Sequence, residues 1–133
     1  MPRNRLAAVL WMGLLLWAGG ILWLSSLTPA ELPSTAFLVP DKLNHFVAFA
    51  VGGWLAASAL RTSRPTRPAL QSVARAVLLV AAFGALDEMS QLLTPGRSGG
   101  EVYDWIADFL GAVAGACLVR ITHGYLERLV PRP

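Results

Sequence analysis

The most constraining feature of this sequence is a run from Leu6 to Leu27 that contains no charged residue. At a helical rise of about 1.5 Å per residue, such a run spans the roughly 30 Å hydrocarbon core of a bilayer. A secretory signal peptide is the alternative for an N-terminal run, but its apolar region is only roughly 7–15 residues long and ends in a small-residue cleavage site. Because Thr28-Pro29-Ala30 is a poor site of that kind, the run predicts an uncleaved transmembrane helix.

Three more apolar segments follow the first, which gives predicted spans at about 6–27, 43–60, 76–93 and 103–119. A polar, proline-containing loop at 61–68 and a glycine-rich turn at 94–100 separate the later spans. Charged residues make up 14% of the chain, whereas a soluble domain carries about a quarter. The sequence therefore predicts an all-α fold, in which residues 1–133 form a single integral membrane domain, a four-transmembrane-helix bundle.

The basic residues predict the orientation of this bundle. Of the 11 Lys and Arg residues, all but Lys42 and Arg97 lie at the chain ends or between the second and third spans. These are Arg3, Arg5, Arg61, Arg64, Arg67, Arg75, Arg120, Arg128 and Arg132. Cytoplasmic loops carry the excess of Lys and Arg. We therefore expect a multi-pass protein of the cell (inner) membrane with both termini in the cytoplasm.

Several function classes find no support in the sequence. The single cysteine, Cys117, cannot form an intrachain disulfide or a cysteine-type metal site, and we expect it to be a packing residue. No phosphate loop, nucleophile elbow or nucleic-acid-binding motif is present in the sequence. We expect membrane lipids as partners, no nucleic acid and no cofactor.

Ionisable side chains at membrane depth are the main functional signal, because such groups are expensive in a bilayer and normally face the bundle interior. His45 lies about one turn into the second span, Glu88 and Gln91 end the third, and Asp104 and Asp108 begin the fourth. Lys42 and Arg97 cap this region from the loops. All of these side chains are predicted to lie at one level, near the outer leaflet.

Helical phase predicts which faces meet in the interior. At about 100° per residue, Asp104 and Asp108 share a sector of roughly 80° with Gly111 and Gly115. This glycine pair has the G-x-x-x-G spacing that lets membrane helices pack closely. The face that carries the acids is therefore also the predicted contact face of the fourth helix.

The same reasoning applies to the second and third helices. His45 shares its sector with Phe49, and Glu88 shares its sector with Gly84. Asp87 is about 100° from Glu88 around the helix. We therefore expect Asp87 to point away from the site.

With these elements in place, the chain resembles the VanZ-like family of small membrane proteins over about residues 20–116. The similar segments are 41–46 (DKLNHF), 87–92 (DEMSQL), 95–99 (PGRSG) and 103–108 (YDWIAD), running into Gly111, together with 25–29 (SSLTP) and the Leu32-Pro33 pair. The family pattern is K-x-x-H, E-x-x-Q, a glycine-flanked R and a D that opens the last helix. Asp108 stands where the family often has Asn, and its role is open.

The resemblance implies a membrane and envelope setting, since the family is named for a protein associated with resistance to the glycopeptide antibiotic teicoplanin. It does not imply a particular reaction. As an enzyme, the protein would use His45, Glu88 and Asp104 as general acids and bases. Lys42, Gln91, Arg97 and Asp108 would bind an amphiphilic substrate such as a lipid-linked envelope precursor.

Three alternatives to catalysis stay open. The cluster can be a structural ion-pair network, for instance Arg97 with Asp104 and His45 with Glu88, in a non-catalytic interaction protein. A divalent metal site is a weaker hypothesis, because one His and three carboxylates can bind an ion but no tight motif such as H-E-x-x-H is present. A channel is weaker still, because the polar groups stop in the outer half.

Overall fold

The computed structural model describes residues 1–128, which form four α-helices and one short 3₁₀ helix without any β-strand. The helices are α1 (Arg3–Ser26), α2 (Asp41–Ser63), α3 (Ala69–Gln91) and α4 (Val102–Arg128), and the 3₁₀ helix Ser34–Phe37 lies between α1 and α2. Each α-helix is long and apolar enough to cross a membrane. The prediction of an all-α fold with four helices long and apolar enough to span a membrane is confirmed.

Two of the helices extend well beyond the predicted spans. α3 begins at Ala69 rather than near residue 76, so Arg75 lies within the helix and not in the loop. α4 continues to Arg128 rather than ending near residue 119. Hydropathy detects only the apolar part of a helix, whereas long basic side chains at its ends keep their charges in water. Arg132, which contributed to the orientation argument, lies outside the described residues.

Proline and glycine determine where the helices begin. Pro2, Pro40 and Pro68 directly precede α1, α2 and α3. Proline disfavours a helical conformation in the residue before it, so these helices cannot extend backwards. α4 begins after a turn in which Gly100 has a φ of 78°, a conformation that glycine adopts without steric cost.

The most extensive helix pair is α2 with α4, and its contact is between backbones. A Cβ atom at Gly111 would overlap the carbonyl oxygen of Phe46, and one at Gly115 would overlap that of Ala50. Only glycine permits this approach. The predicted contact face of α4 is therefore confirmed, and its partner is α2.

Tryptophan side chains add hydrogen bonds between helices. Four indole N–H groups donate across the bundle: Trp11 to the Ser63 hydroxyl (3.0 Å), Trp17 to the Ala48 carbonyl (2.9 Å), Trp54 to the Thr122 hydroxyl (2.8 Å) and Trp105 to the Ala81 carbonyl (2.9 Å). A buried indole N–H normally has such a partner. These bonds connect α1 with α2, α2 with α4 and α4 with α3.

The two ends of the bundle differ in chemistry. Leu6 and Leu10 of α1 pack with Ala59 of α2 and Leu126 of α4, so the start of α1 and the end of α4 share one end. We call this the basic end, because the loop at 61–68 and its arginines lie there too. The opposite end, where α1 and α3 finish and α2 and α4 begin, we call the cluster end.

The interpretation of Cys117 as a packing residue is wrong. Its thiol is exposed on the outer face of α4. Its neighbours Ala116 and Val119 are buried in the core. The side chain is small and apolar, which the sequence shows, but its helical phase turns it away from the interior.

We predict that Gly115→Ala destabilises the protein by about 1–3 kcal/mol, because the added methyl group must separate α2 from α4. Gly124→Ala is the matched control in the same helix, since nothing lies within 4 Å of a Cβ placed there. Thermal unfolding of both variants in detergent measures the difference. Equal melting temperatures would contradict the backbone contact.

Candidate functional site

All the predicted site residues lie at the cluster end, where four helix ends and the α3–α4 turn meet. Lys42 and His45 come from the first two turns of α2, and Glu88 and Gln91 come from the last turn of α3. Arg97 lies in the turn, and Asp104 and Asp108 lie in the first two turns of α4. Four of these side chains are buried: Glu88, Gln91, Asp104 and Asp108. The structure therefore brings together the residues that the sequence placed at one level.

Two charged contacts join α2 to α4. The Nδ1 atom of His45 lies 2.8 Å from Oδ1 of Asp108, whose side chain is fully buried. The ammonium group of Lys42 contacts Oδ1 of Asp104 at 2.5 Å and Oε2 of Glu101 at 3.6 Å. Each pair joins the second helix to the fourth across their backbone contact.

These partners differ from the expected pairs. Arg97 does not pair with Asp104, because Lys42 already contacts that carboxylate from the adjacent helix. His45 contacts Asp108 directly, and the nearest oxygen of Glu88 is 3.9 Å from its Nδ1. Since α2 packs closest to α4, the basic groups of α2 reach the acids of α4 first. The same contact gives Asp108 a role, as the partner of His45.

Glu88 organises the turn that leads into α4. Its carbonyl oxygen accepts a hydrogen bond from the Gly100 amide, and its Oε2 accepts one from the Glu101 amide, both at 3.1 Å. Gly99 packs so tightly against the end of α3 that a Cβ there would overlap its backbone. The other carboxylate oxygen, Oε1, is buried and accepts no hydrogen bond from the described residues.

Asp87 is a second correction, because it points into the interior and not away from the site. Its side chain is buried, and Oδ2 accepts a hydrogen bond from Nε2 of Gln91 at 3.1 Å. The same amide nitrogen lies 3.3 Å from the Ser25 hydroxyl of α1. α3 has neighbours on more than one side, so its buried sector is wider than a single contact face. Residues about 100° apart are therefore both interior.

Arg97 has a different environment from Lys42. Its Nη2 donates to Oε1 of Gln91 at 3.1 Å. Among the described residues, no carboxylate lies within ion-pair distance of its guanidinium group, whereas Lys42 has two such partners. Gln91 therefore positions Arg97 without neutralising its charge.

A cavity of about 700 Å³ opens beside this arginine. Its polar wall includes Asn44, His45 and Arg97 together with the acidic side chains of Asp41, Asp87 and Asp104. Its apolar wall includes Ile21, Leu24, Leu32, Phe37 and Val39. The segment between α1 and α2 closes one side of the cavity, and the Asn44 amide holds it by donating to the Ala36 carbonyl at 2.9 Å.

The contribution of this segment was not predicted, although its Ser25–Pro33 portion carried part of the resemblance. Thr28 stabilises its first turn, since the backbone amide and the hydroxyl both donate to Oε2 of Glu31 at 2.8 Å. These two hydrogen bonds lower the pKa of the Glu31 carboxyl below its usual value.

The profile of the family described as VanZ/LLP1 matches residues 6–123, which include the whole cluster. This chain belongs to the VanZ/LLP1 family. The resemblance stated from the sequence is thereby confirmed, and with the four spanning helices it identifies a VanZ-like membrane protein. No curated protein and no solved structure matches the chain.

The geometry of this VanZ/LLP1 protein permits two kinds of chemistry. An imidazole whose Nδ1 is held by a buried carboxylate can exchange a proton through Nε2. Imidazole and carboxylate groups can also bind a divalent ion together. Two sets have ligand atoms within 4.8 Å of one another, namely His45 with Glu88 and Asp108, and His45 with Asp41 and Asp104.

We predict that Lys42→Met lowers the unfolding free energy, because it leaves the buried carboxylate of Asp104 without its cation. Asp104→Asn should cost less, since the Lys42 side chain is 53% exposed and can be solvated. The double variant should recover part of the loss from Lys42→Met, which a double-mutant cycle by denaturation in detergent measures. Strictly additive effects would show that the pair does not couple α2 to α4.

Proposed function

We propose that this VanZ/LLP1 protein binds the anionic head group of a membrane amphiphile in the cavity at the cluster end. The observation that carries the proposal is the combination within one cavity of an apolar wall and an arginine without a carboxylate partner. Ligand sites are typically concave and mostly apolar, with a few polar groups that determine orientation. An amphiphile matches both features of the cavity, because its tail is apolar and its head group can carry a charge.

Arg97 is the proposed contact for the anion. A guanidinium group binds carboxylate and phosphate oxygens through two parallel hydrogen bonds. Its bond to the neutral Gln91 side chain leaves its other N–H groups for a ligand. Gln91 thus serves as the positioning residue, which supports its place among the substrate-binding residues.

The apolar wall provides a place for the tail of the amphiphile. Phe37 and Val39 line the cavity. Phe37 is also 64% exposed and Leu38 is 79% exposed. Apolar side chains at this position suit the interface of a bilayer, where a lipid can pass sideways from the membrane into the cavity.

The charge distribution supports an outward-facing cluster end. The arginines of the loop at 61–68 share the basic end with Arg3, Arg5 and Arg128. The positive-inside rule assigns such an end to the cytoplasmic side of the inner membrane. The cavity then opens to the outer leaflet, where lipid-linked precursors of a bacterial envelope are used. The naming of the family after a teicoplanin-resistance protein agrees with this setting.

Proton transfer on the bound head group is a second candidate function, favoured by one observation. His45 lines the cavity while Asp108 holds its Nδ1, and Glu88 has a free oxygen 3.9 Å from the same ring. His45 and Glu88 are the proposed acid and base. Asp104, proposed from the sequence as a third catalytic group, is better placed to orient Lys42.

The alternative of a non-catalytic interaction protein is supported by the contacts Lys42–Asp104 and His45–Asp108. Both join α2 to α4 and need no ligand to do so. These two contacts give a structural role to four of the cluster residues, but they explain neither the position of Arg97 nor the presence of the cavity.

We predict that Arg97→Gln weakens the binding of an anionic amphiphile about tenfold to a hundredfold, because a hydrogen bond to a charged group contributes about 1.5–3 kcal/mol. Native mass spectrometry of the detergent-solubilised protein with phosphatidylglycerol and the uncharged diacylglycerol measures the preference. Arg67→Gln, in the loop at the basic end, is the control and should leave the preference unchanged. Equal binding by both variants would refute a role for Arg97.

We predict that Glu88→Gln keeps the fold and the binding of the amphiphile but abolishes any effect on teicoplanin susceptibility of cells that make the protein. Glutamine can still accept the hydrogen bond from the Glu101 amide, but it cannot transfer a proton. Membrane protein level, binding and susceptibility are measured together. An unchanged susceptibility effect would refute acid–base chemistry, and loss of the folded protein would favour the structural network.

A further inference from the structure

Three buried carboxylates at the cluster end, those of Asp87, Glu88 and Asp108, each have an oxygen without a hydrogen-bond partner among the described residues, and the last two face His45. The side chains of Glu88 and Asp108 are 5% and 0% exposed. In the described part of the chain, Oε1 of Glu88 and Oδ2 of Asp108 accept no hydrogen bond. Buried polar atoms without partners cost free energy and are rare in folded proteins.

The basic side chains nearby do not supply the missing charge. Lys42 contacts Asp104 and Glu101, and Arg97 contacts Gln91. Within residues 1–128, the only basic group in ion-pair range of Glu88 or Asp108 is His45, at 3.9 Å and 2.8 Å. One imidazole faces two carboxylates, so even a protonated His45 leaves one negative charge without compensation.

The positions of these atoms match the requirements of a small metal ion. Bonds from Zn²⁺ to imidazole nitrogen and carboxylate oxygen are about 2.0–2.2 Å long, so the ligands of one ion lie about 3–4 Å apart. From Nδ1 of His45, the 3.9 Å distance to Glu88 lies within this range and the 2.8 Å distance to Asp108 lies just below it. One ligand atom from each residue lies within 4.8 Å of the others. The three side chains come from three different helices, since His45 lies in α2, Glu88 in α3 and Asp108 in α4.

We propose that His45, Glu88 and Asp108 bind one divalent transition-metal ion, for which Zn²⁺ is the best match. A dication with two carboxylates and a neutral imidazole is electrically neutral, which suits a site in the interior of a helix bundle. Three protein ligands leave a coordination position open, as in catalytic zinc sites. This inference deepens the proposed function, because His45 lines the cavity and the ion would lie beside the head group that Arg97 binds.

The second set of candidate ligands is a poorer site. It shares His45 but adds Asp41, whose side chain is 71% exposed, and Asp104, which already contacts the Lys42 ammonium group. A bound dication there would repel that neighbouring cation. The unpartnered oxygens belong only to the first set.

The test measures the binding of Zn²⁺ alone to the full chain, purified in detergent and stripped with a chelator. Equilibrium dialysis followed by elemental analysis should find about one ion per chain. Glu88→Gln and Asp108→Asn should each weaken binding at least about tenfold, since even loss of a partner outside the ligand set costs 10–100-fold. Asp87→Asn is the matched control, because Asp87 is equally buried and adjacent to Glu88 in the chain, and it should bind Zn²⁺ like the parent.

A second measurement does not depend on how well these variants fold. The chain has two histidines, so His45 is the only imidazole in a His123→Gln chain. Zn²⁺ should shift the ¹⁵N resonance of its Nδ1 selectively. An unchanged Nδ1 resonance, or Zn²⁺ binding that is equal in the parent and the two ligand variants, overturns the metal site.

The metal site and the amphiphile site can fail separately. Arg97→Gln should lose the preference for phosphatidylglycerol and keep its Zn²⁺. Binding of phosphatidylglycerol in the presence of a chelator tests the proposed function without the ion. If the parent chain binds phosphatidylglycerol but not Zn²⁺, only this inference is overturned. If the Arg97→Gln variant keeps both its full preference for phosphatidylglycerol and its full Zn²⁺ binding, only the proposed function is overturned.

Discussion

The backbone contact between α2 and α4 determines the arrangement of the charged groups at the cluster end. Gly111 and Gly115 bring the two helices together at a distance that no side chain permits. At that distance the first turns of α2 lie beside the first turns of α4, so His45 meets Asp108 and Lys42 meets Asp104. Ionic contacts of this kind are tolerated in a membrane because the charged side chains face the bundle interior and pair with one another.

Glu88 and Asp108 each keep one carboxylate oxygen without a partner among the described residues, although Asp108 contacts His45 through its other oxygen. Both lie beside His45, which lines the cavity. The apolar core of the bundle contains small side chains such as Ala56, Ala76 and Ala112. Buried hydroxyl groups such as those of Ser58 and Ser72 also lack partners, but among the described residues the carboxylate oxygens without partners all lie at the cluster end. The coincidence of free carboxylate oxygens, an arginine without an ion pair and an apolar wall distinguishes a binding site from a network that only joins helices.

The sequence predicted the membership of the cluster better than its connections. Depth along a helix follows from counting residues, so the common level of His45, Glu88 and Asp104 was foreseeable. The actual partners were not, because they depend on which helices are adjacent. The position of Asp87 was not foreseeable for the same reason. An angle of about 100° from Glu88 turns a side chain away from the site only when the helix packs against a single neighbour. The wall formed by residues 27–40 was missed because a loop without hydrophobic periodicity, whose single charged residue is Glu31, carries little signal.

The sequence by itself determined that this is an all-α chain of four spanning helices in the VanZ/LLP1 family, with its ionisable groups at one level. Hydropathy, proline positions and the G-x-x-x-G spacing are local properties, and local properties decide where a helix begins, how long it is and which face is small. The tertiary structure alone decided that Asp108 holds His45, that Glu88 holds the α3–α4 turn and that Arg97 has no carboxylate partner within residues 1–128. Each of these facts depends on distances between separate helices, which follow from packing and not from any single segment.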